Sequence, residues 1–346
     1  MHVGLPVDVE TERVPRWLSR TWAPALAVLG LAAAIAVPRY QLINPYYEFV
    51  LMVIGINIIL TVSLNLVNGF MGEFAVGHAG FMAVGAYVSS ILSVRVLPTG
   101  WGVSIFPLAL IGGGAAAGVV ALLVAIPSFR TRGDYLAIVT LALNMIVKSV
   151  IENIEAIGGP RGFFGMERFT SLAWVYVITL LTLWTIRNFV YSNYGRGVLS
   201  IREDEVAAEL VGVNTKQVKI QAFIIAAFFA GVAGGLFAHL LQYIHPRNFD
   251  IIRSTEILIM VYLGGIGSIT GSVLGATTFT VLLEALRFMG VWRMVLAPLL
   301  LVILMVLRPT GMMGLKEFPL VVPRHERLSR LKARIGKENA PDAARH

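Results

Sequence analysis

TEILIMVYLGGIGSITGSVLGATTFTVLLEAL, residues 255–286, decides the fold. Its 32 residues are apolar or small except for Glu256 and Glu284 near the two ends. About 20 helical residues cross the hydrocarbon core of a bilayer, so the stretch is too long for one crossing and short for two. In its middle, GGIGSITGS places Gly264, Gly265, Gly267 and Gly271 where a continuous helix would bend or break.

Working outward, apolar runs of span length recur at roughly 22–37, 49–67, 74–94, 103–126, 135–151, 171–190, 219–241 and 293–307. Of the 346 residues, 57% are hydrophobic and 14% charged, and the mean hydropathy is +0.76. That is too apolar for a soluble domain of this length. The 34 glycines sit inside the runs as much as between them, as suits helices that approach closely in lipid. The expected fold class is all-α, a polytopic transmembrane helix bundle. Residues 1–21 are a polar segment that does not read as a cleavable signal, 22–307 form the membrane domain, and 308–346 form a basic tail.

Charge parity bears on the opening stretch. If residues 255–286 cross twice, there are about ten membrane segments, some short or broken, and both termini share one side. That side then holds Arg13, Arg16, Arg20, Arg130, Arg132, the charged loop at 195–219 and the basic tail, nineteen Lys/Arg against eight on the other side. A single crossing would send the tail outward, against the positive-inside rule. Both termini are therefore expected in the cytoplasm. The same rule accounts for the net charge of +8 without a nucleic-acid partner. The absence of cysteine excludes disulfides and thiol chemistry.

The loop GRGVLSIREDEVAAELVGVNTKQVK (195–219) carries helix signals. Ser200 and Glu203 fit a capping box, Glu203, Asp204 and Glu205 favour a helix N-terminus, and Gly212 fits a stop. Val206, Leu210 and Val213, with Ala207 and Val211, form an apolar ridge, and Asn214–Thr215 is a second start signal. These features predict a helix of about three turns along the membrane face. A solvated amphipathic connector would show the same features.

VAAELVG (Val206–Gly212) resembles the Ala-Ala-x-x-x-Gly core of the coupling loop in ABC importer permeases, with the expected glutamate one place early, at Glu205. Four further stretches extend the likeness: SLNLVNGFMGEFAVGHAGFMAVGAY (Ser63–Tyr87), RTRGDYLAIVTLALNMIVKSVIEN (Arg130–Asn153), GGPRG (Gly158–Gly162) and LGGIGSITGSVLGA (Leu263–Ala276). Together with REDEVAAELVGV (Arg202–Val213), in this order and spacing, they resemble the LivM-type permease of branched-chain amino acid ABC importers over roughly residues 45–315. The resemblance implies a multi-pass subunit of the cell inner membrane. Its partners would be a LivH-type permease, two ABC ATPase subunits carrying ATP and Mg, an extracytoplasmic substrate-binding protein and membrane lipid. It also implies a cytoplasmic coupling helix, with Arg202, Glu203, Asp204, Glu205, Ala207, Ala208 and Gly212 facing the ATPase. The chain has no G-x-x-x-x-G-K-[ST] phosphate loop, since Gly336–Lys337 lacks its flanking residues. It is expected to bind no cofactor itself and to be no enzyme. Relatives of this permease type also carry urea or short amides, and an ion-coupled secondary transporter is the competing class.

Candidate pathway residues are Gly77, His78, Gly80, Asn144, Lys148, Glu152, Gly264, Gly265 and Gly267. Lys148, Glu152 and Glu155 fall on one helix face. They form either a polar patch for a zwitterionic solute or a self-neutralising Lys148–Glu152 pair. His78 is either a pathway residue or a buried histidine satisfied by a neighbouring helix, and no second ligand at metal spacing accompanies it. The GEFAVGHAGF stretch permits close helix approach or an unwound segment, and Asp134 fits an N-cap. Gly158, Gly159, Pro160 and Arg161 form a rigid outer turn or a docking contact. Glu256 and Glu284 are expected to pair locally with Arg253 and Arg287. The glycine break at 264–271 must be covered by protein or line a cavity.

Overall fold

The computed structural model describes residues 18–96, 104–129, 135–292, 299, 302, 306, 311–314 and 317, with side chains from residue 27 onward. Its helices are α1 (Leu18–Arg39), α2 (Pro45–Asn65), α3 (His78–Ile91), α4 (Ile105–Ser128), α5 (Tyr135–Asn153) and α6 (Leu172–Val190). After these come two short helices, α7 (Asn193–Glu203) and α8 (Glu205–Leu210), then α9 (Thr215–Leu241), α10 (Ile251–Gly264) and α11 (Ile269–Ala285). Single π-helical turns, Leu66–Phe70 and Leu92–Val96, prolong α2 and α3. Seven of the described helices, with these turns and the 3-10 turn Leu286–Trp292 that follows α11, are long and apolar enough to cross a membrane: α2 to α6, α9 and α11.

Local chemistry sets most of the helix starts. Pro45 occupies the first turn of α2 and the Asn44 side chain accepts from the Tyr46 amide at 3.0 Å. Ser171, Ser192, Asp204, Asn214, Asp250 and Ser268 cap α6, α7, α8, α9, α10 and α11 in the same way.

The centre of the bundle is the crossing of α3, α4 and α9, where glycines replace side chains. Gly85 lies against the Gly231 backbone, and a Cβ on Gly113 would stand 2.6 Å from the Gly85 carbonyl oxygen. In lipid the hydrophobic effect does not press helices together, so this close backbone approach and its dispersion contacts hold them. In α2 and α9, 72% of the spanning window is buried, against 28% in α5 and α6, which puts the former pair inside and the latter outside.

The stretch 255–286 is broken. Two helices, α10 and α11, meet at Gly265–Ser268, with φ of +122° at Gly265 and +78° at Gly267. They pack on each other through Gly264, Gly271 and Gly275, whose added Cβ atoms would meet facing backbone. The break is covered by the chain's own C-terminal part. Met312 and Met313 amides donate to the Leu263 and Gly264 carbonyls at 2.8 and 3.0 Å, capping α10. The Glu317 carboxylate accepts from the Ile269 and Thr270 amides at 2.5 and 3.3 Å, at the positive end of α11. From the other side, Asn65 Oδ1 accepts from Gly267 N at 3.0 Å, and Asn65 Nδ2 donates to the Ser268 carbonyl at 2.9 Å. These backbone groups of the break therefore find partners within the protein, as is required of backbone that lies at membrane depth.

Several expectations change. The third helix begins at His78, after an unwound segment over residues 71–77, rather than near residue 74. The charged loop is two helices, not one. Ser200 lies inside α7, its hydroxyl donating to the Gly197 carbonyl at 2.9 Å, so it is no capping residue. The caps are Ser192 and Asp204, the latter accepting from Ala207 N at 3.0 Å. The apolar ridge is split: Val206, Leu210 and Val211 are exposed, while Val213 packs partly buried against the core. Gly212, at φ +89°, does stop the helix, and Asn214 does start α9. Residues 1–17 of the N-terminal segment, the Arg130–Asp134 loop with its Asp134 cap, most of the run at 293–307 and most of the basic tail lie outside the described residues.

Candidate functional site

Polar side chains meet inside the bundle where α2, α3, α5 and α10 converge. At the N-terminus of α3, Gly77 and Gly80 let the backbone touch α5: a Cβ on Gly77 would strike the Thr140 carbonyl, and one on Gly80 would lie 3.1 Å from Asn144 Cα. Thr140 Oγ1 accepts from Val76 N at 3.1 Å. Ser254 Oγ, from α10, accepts from Ala79 N at 3.1 Å and from Asn144 Nδ2 at 3.5 Å. His78 Nε2 stands 2.9 Å from Ser63 Oγ on α2, which is the arrangement of a buried histidine satisfied by a neighbouring helix. Asn144 is buried, and its Oδ1 has no hydrogen-bond partner.

Lys148 and Glu152 continue this face of α5 outward, both half-buried. Among the described residues they form no ion pair with each other, so the expected self-neutralising pair is absent. Arg253 and Glu256 do pair, at 2.8 Å, as do Arg287 and Glu284, at 3.3 Å. Arg253 does more than the sequence reading assigned. Its Nη2 donates to Asn57 Oδ1 at 2.7 Å, and Asn57 Nδ2 donates to Thr280 Oγ1 at 2.8 Å, joining α10, α2 and α11.

At the C-terminal end of α5, Gly158, Gly159 and Gly162 all take positive φ, which L side chains rarely adopt. The turn is tied down rather than free. Phe163–Phe164 (β1) pairs antiparallel with Tyr243–Ile244 (β2), Tyr243 Oη donates to the Arg161 carbonyl at 3.0 Å, and His245 Nε2 lies 2.9 Å from the Pro160 carbonyl oxygen. The Arg161 side chain is exposed.

At the opposite end, α7 is anchored by buried Val198 and Ile201, and α8 by buried Ala208. Arg202 Nη2 pairs with Glu203 at 2.9 Å, and its Nη1 donates to the Gly69 carbonyl at 3.3 Å. Glu205 meets Lys219 of α9 at 2.7 Å, and Glu73 meets the same ammonium at 2.6 Å. Glu73, Lys219, Ser63, Thr140, Ser254, Asn57 and Asn65 were not singled out from the sequence. A lysine at the mouth of an apolar run reads there as a positive-inside charge, and isolated Ser, Thr and Asn residues in spans carry no pattern. Among the described residues no group of three or more His, Cys, Asp or Glu could hold a metal.

Spanning helices, a polar interior and a covered helix break define a multi-pass membrane protein. The chain belongs to the family described as the permease component of the branched-chain amino acid transport system, whose model matches residues 46–307. It is 32% identical over 293 residues to the high-affinity branched-chain amino acid transport system permease protein LivM of Escherichia coli, covering 75% of this chain and 68% of that protein. It is 24% identical over 283 residues to the LivH permease protein of the same organism, covering 75% and 91%. A probable LivM of Methanocaldococcus jannaschii is 26% identical over 296 residues. No solved structure matches the chain.

Proposed function

We propose that this chain is one of two permease subunits of an ABC importer for branched-chain amino acids, paired with a LivH-type permease. The match to LivM over three-quarters of the chain carries the reading. Two ATPase subunits, each binding ATP and Mg, drive it from the cytoplasm, and an extracytoplasmic binding protein delivers the solute. The chain crosses the membrane about ten times, with α10 and α11 as two of the crossings and both termini in the cytoplasm.

In this reading α8 is the coupling helix. Leu210 and Val211, 84% and 78% exposed, form an apolar knob at the C-terminal end of α8. Burying each in an ATPase cleft would contribute about 1.5–3 kcal/mol. Asn144, Lys148 and Glu152 line the solute path, where an ammonium without an ion-pair partner among the described residues and an unpartnered amide oxygen are suited to a zwitterion's carboxylate and ammonium. The GGPRG turn presents Arg161 to the binding protein.

The test is radiolabelled leucine uptake into proteoliposomes containing this chain, its partner permease, the ATPases and the binding protein. Uptake should require all four components and internal ATP. Uptake by this chain alone, abolished by an ionophore, would refute the reading in favour of an ion-coupled transporter.

A further inference from the structure

Lys219 stands in the second turn of α9 with its side chain only 7% exposed, between Glu73 and Glu205. The three residues come from three parts of the chain. Glu205 opens α8, Lys219 belongs to the long central helix, and Glu73 sits in the unwound segment between α2 and α3. Arg202 grips that segment and the turn before it: its Cγ would lie 2.8 Å from a Cβ on Gly72, and its guanidinium holds the carbonyl of Gly69 in the π-helical turn Leu66–Phe70. Four and five residues beyond Glu73 lie Gly77 and His78, against Thr140 and Ser63. On its other side, Gly69 lies against Gly267 N at the α10–α11 break. A displacement of segment 71–77, with the adjoining turn that holds Gly69, therefore reaches both the interior polar cluster and the break.

The charge count explains the composition of this node. An ammonium so buried needs a carboxylate, because leaving it unpaired costs far more than a pair contributes. One carboxylate would neutralise it, and here there are two. Either contact can open without orphaning the cation. Glu205 is 42% exposed and Glu73 20%, so water compensates Glu205 better and its contact opens at the lower cost.

We infer that Lys219 is a positioning residue that transmits movement of α8 into the unwound segment 71–77 and from there to the interior polar cluster. With Glu205 engaged, α8, α9 and the segment move together. With Glu205 released, α8 moves apart while Glu73 keeps the ammonium. The inference rests on the reading of α8 as the helix that docks the ATPase.

The test compares leucine moved per ATP hydrolysed in proteoliposomes of the complete importer carrying Glu73→Gln, Lys219→Met or Lys219→Arg. Glu73→Gln is isosteric and leaves Lys219 its Glu205 partner, so it keeps the question answerable if Lys219→Met does not assemble. In Glu73→Gln the ATPases should still co-purify and hydrolyse ATP, while the transport ratio falls about tenfold, the range of site-to-site coupling. Lys219→Arg keeps the charge and should restore most of the ratio, which a merely space-filling role would not predict. An unchanged ratio in Glu73→Gln, assembled normally, overturns the inference. ATPases that fail to co-purify with the unmodified chain refute the docking reading instead, so the two failures are distinguishable.

Discussion

Replacing Gly231 by alanine adds one methyl group at the most crowded crossing in the bundle. The new Cβ would lie 2.6 Å from Ala117 Cβ, 2.8 Å from the Gly113 carbonyl oxygen and 3.0 Å from Gly114 Cα. Carbon atoms prefer separations of about 3.5–4.0 Å, so α9 must withdraw from α4 by most of an ångström. Two of the three obstacles are backbone atoms, which no rotamer change can move aside. A gap of about 0.5–1 Å forfeits a quarter to a half of each dispersion well along the seam. Overpacking of this kind costs about 1–3 kcal/mol. Gly118→Ala on α4 is the control, because its Cβ would meet only Ile224 Cγ2, at 3.6 Å, an ordinary contact. There the helix-propensity gain of up to about 1 kcal/mol should leave the protein unchanged or stabilised. The assay is the thermal midpoint of the detergent-purified protein, followed by loss of the monodisperse size-exclusion peak. Equal destabilisation by both substitutions, or none by Gly231→Ala, would refute the argument that backbone proximity at this crossing holds the bundle.

Three further outcomes are expected. Asn57→Leu removes the acceptor of Arg253 and the donor to Thr280, so it should lower the thermal midpoint through an unsatisfied buried group costing about 1–3 kcal/mol. Thr280→Val, which deletes one end of that chain, should cost less. Leu210→Asp, at a position 84% exposed, should leave the thermal midpoint unchanged while abolishing ATPase co-purification; retained co-purification would count against α8 as the docking helix. Lys148→Met breaks no ion pair among the described residues, so stability should hold, and leucine uptake should fall about tenfold if the ammonium makes one charge-assisted hydrogen bond to the solute; normal uptake with normal assembly would remove Lys148 from the path.

Much of the fold was legible in the residue order because lipid makes strong local demands. A spanning helix needs a long apolar run, and its caps need Asn, Asp or Ser beside it, so α2, α4, α5, α6 and α9 fall close to where the apolar pattern puts them. The glycine break in 255–286 was legible for the same reason. The local pairs Arg253–Glu256 and Arg287–Glu284 followed from three-residue spacing. Gly212 was readable as a helix stop because only glycine takes its positive φ at no steric cost. The boundary at Ser200 was misread because Ser and Glu three apart also occur inside helices, where nothing local distinguishes them.

By itself, then, the sequence determined the membrane class, the helical segments, the break and, through the ordered motifs, the family. What it left open depended on which distant residues face each other. Only the tertiary structure placed Glu73 and Glu205 on one ammonium, residues 146 and 14 positions from Lys219, and closed the α10–α11 break with Met312, Met313 and Glu317. It also showed Lys148 without its presumed partner Glu152 and Arg253 reaching past Glu256 to Asn57. The physical reason is one of range. Hydrophobic periodicity and capping act within about a helical turn, whereas neutralising a buried charge or satisfying a freed amide is decided by whichever element the packing brings within hydrogen-bond distance.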